Sequence, residues 1–188
     1  LALGMNLFII AVGLTLIFGV LRVINFAHGA FFMLGAYIVL SVTRVLETSE
    51  FSFWIGVLVA AFSLALISLF IERYLLRHLY GKEHLLQLLF TFALVLIIGD
   101  ITKIIWGPLQ HSVSYPPGFS GAINLGIANY PTYLLLMIFL GCIFASFLWI
   151  VLNKTQWGRI VRAARFDREM VSALGVNVNL VYSIVFII

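Results

Sequence analysis

The sequence predicts an all-α, polytopic integral membrane helical bundle with about five complete spans and part of a sixth. Three observations predict it. Of 188 residues, 63% are hydrophobic and 10% charged, and the mean hydropathy is +1.16; a soluble domain carries about 25% charged residues. The apolar residues fall in uncharged runs near the roughly 20 residues that a helix needs to cross hydrocarbon. The Lys and Arg residues gather in alternate polar intervals, as they do in cytoplasmic loops.

The runs follow in order. Leu1 to Leu21 carries no charge, and Gly13, Thr15 and Gly19 offer small or hydroxyl positions where another helix can approach. It lacks the small-residue cleavage pattern of a signal peptide and so reads as a retained span ended by Arg22. Val23 to Thr43 is a second uncharged run, with Asn25 and His28 near its start. Arg44, Glu47 and Glu50 form a short polar loop. Phe51 to Ile71 is a third span, in which Ala61, Ala65 and Ser68 form a smooth stripe for a neighbour. Glu72 to His84 is polar, and Leu85 to Trp106 is the fourth span, carrying Asp100 and Lys103 near its end. Gly107 to Asn129 is rich in Pro, Gly, Ser and Asn. There Pro116-Pro117-Gly118 must turn, and Ala122 to Ile127 alternates enough for a short strand or hairpin. Pro131 suits the first turn of a fifth span that ends near Leu152. Polar text from Lys154 to Val178 follows, and a sixth run begins near Asn179. That run is shorter than a span, and the chain does not begin with Met, so it reads as a fragment of one transmembrane domain cut at both ends.

The charges fix the sides. With the last polar segment inside, alternation places Arg22, Arg73, Arg77, Lys82, Lys154, Arg159, Arg162, Arg165 and Arg168 inside and only Arg44 and Lys103 outside. Trp54, Trp106, Trp149 and Trp157 fall near the predicted interfaces, where indole rings favour the headgroup zone. The net charge of +4 is then a topology signal and not a nucleic-acid footprint. The single cysteine, Cys142, excludes an internal disulfide and reads as a buried packing residue.

Most catalytic constellations are missing. No G-x-x-x-x-G-K-[ST] segment is present to cradle ATP phosphates, and no His pair has metalloprotease spacing, so neither a cofactor nor a metal site is expected. His78, His84 and His111 read as solvated surface residues. Asp100 and Lys103, three apart, read as an ion pair at the outer boundary, with Lys103 snorkelling, and an ion or proton relay is the alternative. No other carboxylate lies in a predicted span, which argues against a proton- or sodium-driven carrier.

Two stretches remain. In Val23–Tyr37, Asn25 is placed to cap a helix with His28 at its third position, and Gly29 and Gly35 would let other helices approach. The group is either a structural cap with a tight helix contact or a gate and pathway element near the cytoplasmic end. In Lys154–Val178, Thr155 caps one short helix and Asp167 a second, and Gly175 sits where a helix takes a left-handed end residue. Arg159, Arg162, Arg165 and Arg168 recur every three residues as a basic stripe suited to anionic lipid headgroups. Met170, Val171 and Leu174 form an apolar face on the second helix, with Glu169 in its first turn, fit for a partner's groove.

These two stretches resemble the permease subunits of branched-chain amino acid ABC transporters. G-L-T-L-I-F-G-V-L-R-V-I-N-F-A-H-G-A-F-F-M-L-G-A-Y, Gly13 to Tyr37, is similar to that family's N-terminal signature. G-R-I-V-R-A-A-R-F-D-R-E-M-V-S-A-L-G-V-N, Gly158 to Asn177, is similar to its cytoplasmic loop. The resemblance also takes in Ile71–Arg77 and Leu88–Leu94, and it covers nearly all of the chain. It implies a non-catalytic subunit of a bacterial-type inner membrane importer. The loop around Asp167–Gly175, with Gly158, Arg159, Arg162, Ala163, Glu169, Met170 and Leu174, would dock on an ABC ATPase subunit. Asn25, His28, Gly29 and Gly35 would belong to the path or its gate. A second permease subunit would complete the path, and a binding protein outside the membrane would deliver substrate. The related urea and short-chain amide permeases share the motifs. Ala30 stands where the family pattern is often acidic. Rivals of a different class are an ion-coupled carrier or channel and a non-transporting scaffold.

Overall fold

Hydrocarbon offers no hydrogen-bond partner, so each apolar run closes its backbone bonds within itself as a helix. The computed structural model describes residues 2–21, 25–46, 51–109, 111–112, 116, 118–119, 121–124 and 129–187. Its long helices are α1 (Ala2–Leu21), α2 (Ala27–Val45), α3 (Ser52–Tyr74), α4 (His84–Trp106) and α5 (Thr132–Lys154), each long and apolar enough to cross a membrane. A 3₁₀ turn, Leu76–Leu79, follows α3. Strands β1 (Ala122–Asn124) and β2 (Asn129–Pro131) pair antiparallel with Ile123 opposite Tyr130; β1 falls in the alternating stretch, whereas β2 lies beyond it. Beyond α5 come α6 (Gln156–Phe166), α7 (Arg168–Ala173) and α8 (Val178–Ile187). The expectations placed on Arg22, Glu47, Glu50 and Pro117 lie outside the described residues.

Several boundaries differ from the predicted ones. The third helix runs past Ile71 to Tyr74, so Glu72 and Arg73 are helical. Pro131 is the residue before α5, with φ −56° and ψ 129°, because it also closes the ladder as the last residue of β2. Asn25 is not the cap of α2. That position is Phe26, which makes no side-chain cap bond, and His28 is the second residue of the helix. Asn25 still serves the helix start, since its Oδ1 accepts the Ala27 N–H at 3.1 Å and its carbonyl accepts the His28 N–H at 3.3 Å.

Small residues set the helix approaches, though not always those expected. Helix α3 meets α2 through Gly56 and Ala60; a Cβ on Gly56 would lie 3.3 Å from Val39 Cγ1 and 3.4 Å from the Val39 carbonyl oxygen. Of the expected stripe, Ser68 is buried, but Ala61 is exposed. Gly35 does admit a neighbour, since a Cβ there would sit 2.9 Å from Leu64 Cδ1. Gly19 and Gly29 have open space beyond their Cα atoms. Cys142 is exposed, the reverse of its expected burial, because it lies on an outward face of α5.

The core sits where α8 passes among α1, α2 and α3. Val181, Tyr182, Val185 and Phe186 are buried beside Ile17, Val20, Ala27, Phe31 and Ile71. Phe31 and Phe186 meet edge to face at 6.5 Å, the arrangement that the ring quadrupoles favour. The two ends of the bundle separate as alternation requires. Ser41 of α2 accepts the Trp106 indole N–H at 2.7 Å at one end. Glu72 of α3 meets Ser183 of α8 at the other.

Candidate functional site

The polar segment after α5 is folded by its own caps. Thr155 Oγ1 accepts the Gly158 N–H at 3.1 Å and donates to the Val151 carbonyl at 2.5 Å, joining the end of α5 to the start of α6. The corner is tight. A Cβ on Gly158 would collide with the backbone carbonyls of Val151 and Leu152, so only glycine fits. The Arg162 guanidinium donates to the Leu152 carbonyl across the same corner. Val161 and Ala164 bury the inner face of α6, leaving Arg159, Ala163 and Arg165 outward.

Asp167 starts the second helix as its residue type predicts, with Oδ1 accepting the Met170 N–H at 2.9 Å. Its end is a Schellman motif: the Gly175 N–H donates to the Ser172 carbonyl at 3.0 Å and the Val176 N–H to the Val171 carbonyl at 3.4 Å. Gly175 has φ +84°, a left-handed conformation that costs glycine little. Glu169 stands exposed in the first turn, near the positive end of the helix dipole.

Two expectations about this segment need correction. Val171 does not face outward with Met170 and Leu174. It is 5% exposed and belongs to the core, because one face of a six-residue helix must hold it to the bundle. The outward apolar group is Met170 at 60%, Leu174 at 76% and Phe166 at 84% exposure. Phe166 escaped the sequence reading. The signal was a phenylalanine just before a capping aspartate in otherwise polar text. The arginines do not form one stripe, because the chain turns at Asp167 between α6 and α7. Arg168, on α7, donates to Asn179 Oδ1 at 3.1 Å and lies 5.4 Å over the Tyr182 ring, tying α7 to α8.

A buried polar cluster adjoins this segment, and the sequence reading missed it. Glu72 is fully buried at the end of α3. Its Oε2 accepts the Ser183 hydroxyl at 2.5 Å and lies 3.7 Å from Arg77 Nη2, and its Oε1 accepts the Tyr80 hydroxyl at 3.2 Å. Arg77 Nη2 also donates to Ser183 Oγ at 3.1 Å. Burial raises the Tyr80 phenol above its ordinary range, and the negative Glu72 raises it further. Besides Asp100, a helix of spanning length thus carries a second carboxylate, contrary to expectation, because α3 continues past the charge that was taken to end it.

The second candidate region lies between helices. Asn25 is 1% exposed. His28 Nε2 lies 3.0 Å from the Ile10 carbonyl of α1; the carbonyl only accepts, so Nε2 carries the proton. A Cβ on Gly13 would lie 2.7 Å from the His28 ring, so this glycine admits the imidazole. Asn25, His28 and Ser68 are polar groups in the wall of a cavity of about 230 Å³, otherwise lined mainly by aliphatic and Phe side chains of α1, α2, α3, α5 and α8. Gly35 lies farther along α2 at the Leu64 contact, and Gly29 faces open space, so the four expected path residues are not brought to one point.

At the opposite end, His111 is not the solvated residue that was expected. Its Nδ1 lies 3.1 Å from Arg44 Nη2 and its Nε2 2.9 Å from the Trp106 carbonyl, because the chain after α4 folds back over the end of α2. Asp100 and Lys103 do pair, at 3.3 Å, on an exposed face. Among the described residues no group of three or more His, Cys, Asp or Glu could hold a metal ion.

Apolar helices of spanning length, with a capped polar segment at one end, define a polytopic helical membrane protein. The chain belongs to the family described as branched-chain amino acid transport system / permease component, which matches residues 1–188. It is 27% identical over 198 residues to the high-affinity branched-chain amino acid transport system permease protein BraD of Pseudomonas aeruginosa, covering 100% of this chain and 64% of that protein. It is 25% identical over 199 residues to the protein of the same description, LivH, of Salmonella typhimurium, covering 99% of this chain and 63% of that protein. LivH of Escherichia coli K12 gives the same identity and coverage. The chain thus spans just under two thirds of the length of these curated relatives. No solved structure is significantly similar to it.

Proposed function

We propose that the chain is part of the transmembrane permease subunit of an ATP-binding cassette importer for branched-chain amino acids in a bacterial-type inner membrane. The substrate assignment rests on the family and on the relatives' descriptions. ATP hydrolysis belongs to partner ATPase subunits, a second permease subunit completes the path, and a binding protein outside the membrane delivers substrate. The whole chain forms one transmembrane domain, with 154–178 as its coupling segment.

The observation that carries the coupling role is Phe166, Met170 and Leu174 standing exposed around a helix that is capped at both ends and anchored by Val171. An apolar group on a short capped helix beyond the last complete span, on the Arg-rich side, fits a protein groove. Asp167 and Gly175 hold the helix rigid, Glu169 supports its first turn, and Gly158, Arg159, Arg162 and Ala163 hold or flank the corner behind it. Closure of the ATPase dimer pushes this unit, which tilts the spans and changes access to the path. Asn25 and His28, in the cavity wall, with Gly35 and the open surface at Gly29, serve the path or its gate. An ion-coupled carrier is disfavoured because Glu72 is paired with Arg77 at the end of the bundle rather than free along a path.

The test is the double substitution of Met170→Asp and Leu174→Asp in the full-length subunit, assembled with its partners in proteoliposomes. Uptake should be lost while membrane insertion persists. Normal uptake in that variant overturns the coupling assignment.

A further inference from the structure

We propose that the cluster of Glu72, Arg77, Tyr80 and Ser183 is the joint through which movement of α7 reaches α3, a positioning role that rests on the coupling function proposed above. The argument begins with burial. A carboxylate with no exposure to solvent is stable only when it is paired and hydrogen-bonded. Glu72 has no exposure, and it meets all three partners at once. Two of these, Arg77 and Tyr80, come from the segment just after α3, whereas Ser183 lies 111 residues away on α8. The bond between Glu72 and Ser183 is therefore a polar tie between two helices far apart in the chain, added to their apolar packing at Ile71 and Val181.

The position of α8 makes the tie a joint. Arg168, the first residue of α7, reaches Asn179 and Tyr182 on α8. Ser183 lies one turn beyond Asn179, and its hydroxyl is also 3.1 Å from the Asn179 carbonyl. Tyr182 meets the Tyr80 ring edge to face at 5.6 Å. A continuous set of contacts thus runs from α7 through the first turns of α8 to the end of α3. Packed side chains, hydrogen bonds and rigid helices of this kind can carry coupling between distant parts. The closest contact of the set, at 2.5 Å, is to a buried charge, so displacing α8 without α3 would take from that charge its shortest hydrogen bond and leave it only Arg77 and Tyr80.

The experiment uses the full-length subunit in nanodiscs, with the exposed Cys142 replaced by Ser, and spin labels at Ser172→Cys on α7 and Arg73→Cys at the end of α3, both exposed positions. The distance distribution between the labels should be narrow, and it should broaden in Glu72→Gln and in Ser183→Ala but not in Ser183→Thr, which keeps the hydroxyl. Ser183→Ala covers the case in which Glu72→Gln does not fold. A distribution that stays narrow in every variant that folds overturns the joint. The second measurement is uptake per ATP hydrolysed, at equal amounts of assembled transporter. It should fall about tenfold in Ser183→Ala, within the usual span of coupling free energies, while ATP hydrolysis continues. Uptake and hydrolysis falling together would mean a merely structural role and would overturn the proposal. Labels that respond as expected in a wild-type assembly that shows no ATP-dependent uptake would instead remove the importer reading and leave the mechanical tie standing.

Discussion

Replacing Gly158 with Ala tests the corner between α5 and α6 on which the orientation of α7 depends. In an ordinary helix interior the change is favourable by about 1 kcal/mol, because alanine loses less backbone freedom on folding. At Gly158 the new Cβ would lie 2.6 Å from both the Val151 carbonyl oxygen and the Leu152 carbonyl carbon. Those are main-chain atoms and cannot rotate aside. Overpacking of this kind costs roughly 1–3 kcal/mol and occasionally more, and contact with rigid backbone belongs at or beyond the upper end. The net effect is a loss of about 2 kcal/mol, read as a fall of roughly 4–8 °C in the thermal unfolding midpoint. Gly99→Ala is the control, since Gly99 is helical with nothing within 4 Å of its Cβ position. It should leave the midpoint unchanged or raise it slightly. Equal midpoints for the two variants in the same detergent would refute the steric argument.

Three further outcomes follow from the geometry. Asp167→Ala removes the acceptor of the Met170 N–H and should destabilise α7 by about 1 kcal/mol, with Asp167→Asn close to wild type; faster amide exchange confined to α7 is the readout. Gly13→Ala should force the His28 ring from the Ile10 carbonyl, lowering thermal stability and shifting the His28 imidazole NMR signals; an unmoved ring in a stable variant would contradict the packing. Tyr80 has a folded-state pKa above the unfolded value, which is about 10. Its contribution is therefore complete below about pH 10 and is lost as pH rises through the folded value. Stability should fall above pH 10, and Tyr80→Phe should flatten that limb, as followed by circular dichroism.

What proved legible in the sequence was local. The runs of apolar text set the number of long helices, because the backbone in hydrocarbon has one solution per run. The caps at Thr155 and Asp167 and the left-handed turn at Gly175 followed from residue type, because each satisfies orphan backbone groups within a few residues. After α4 the alternation marked only the first strand, Ala122–Asn124; its partner, Asn129–Pro131, lies beyond the stretch expected to pair.

The sequence by itself determined that this is a helical membrane chain with a capped polar segment on its Arg-rich side, because hydropathy, charge and capping act along the chain. Only the tertiary structure decided which side chains meet. It turned Val171 inward and left Phe166 out, set His28 against Gly13, folded His111 onto Arg44, and placed Glu72 beside Ser183. None of these pairings leaves a period in the sequence. Each depends on how helices with apolar surfaces all around rotate and pack against one another, and small residues and buried polar bonds settle that choice.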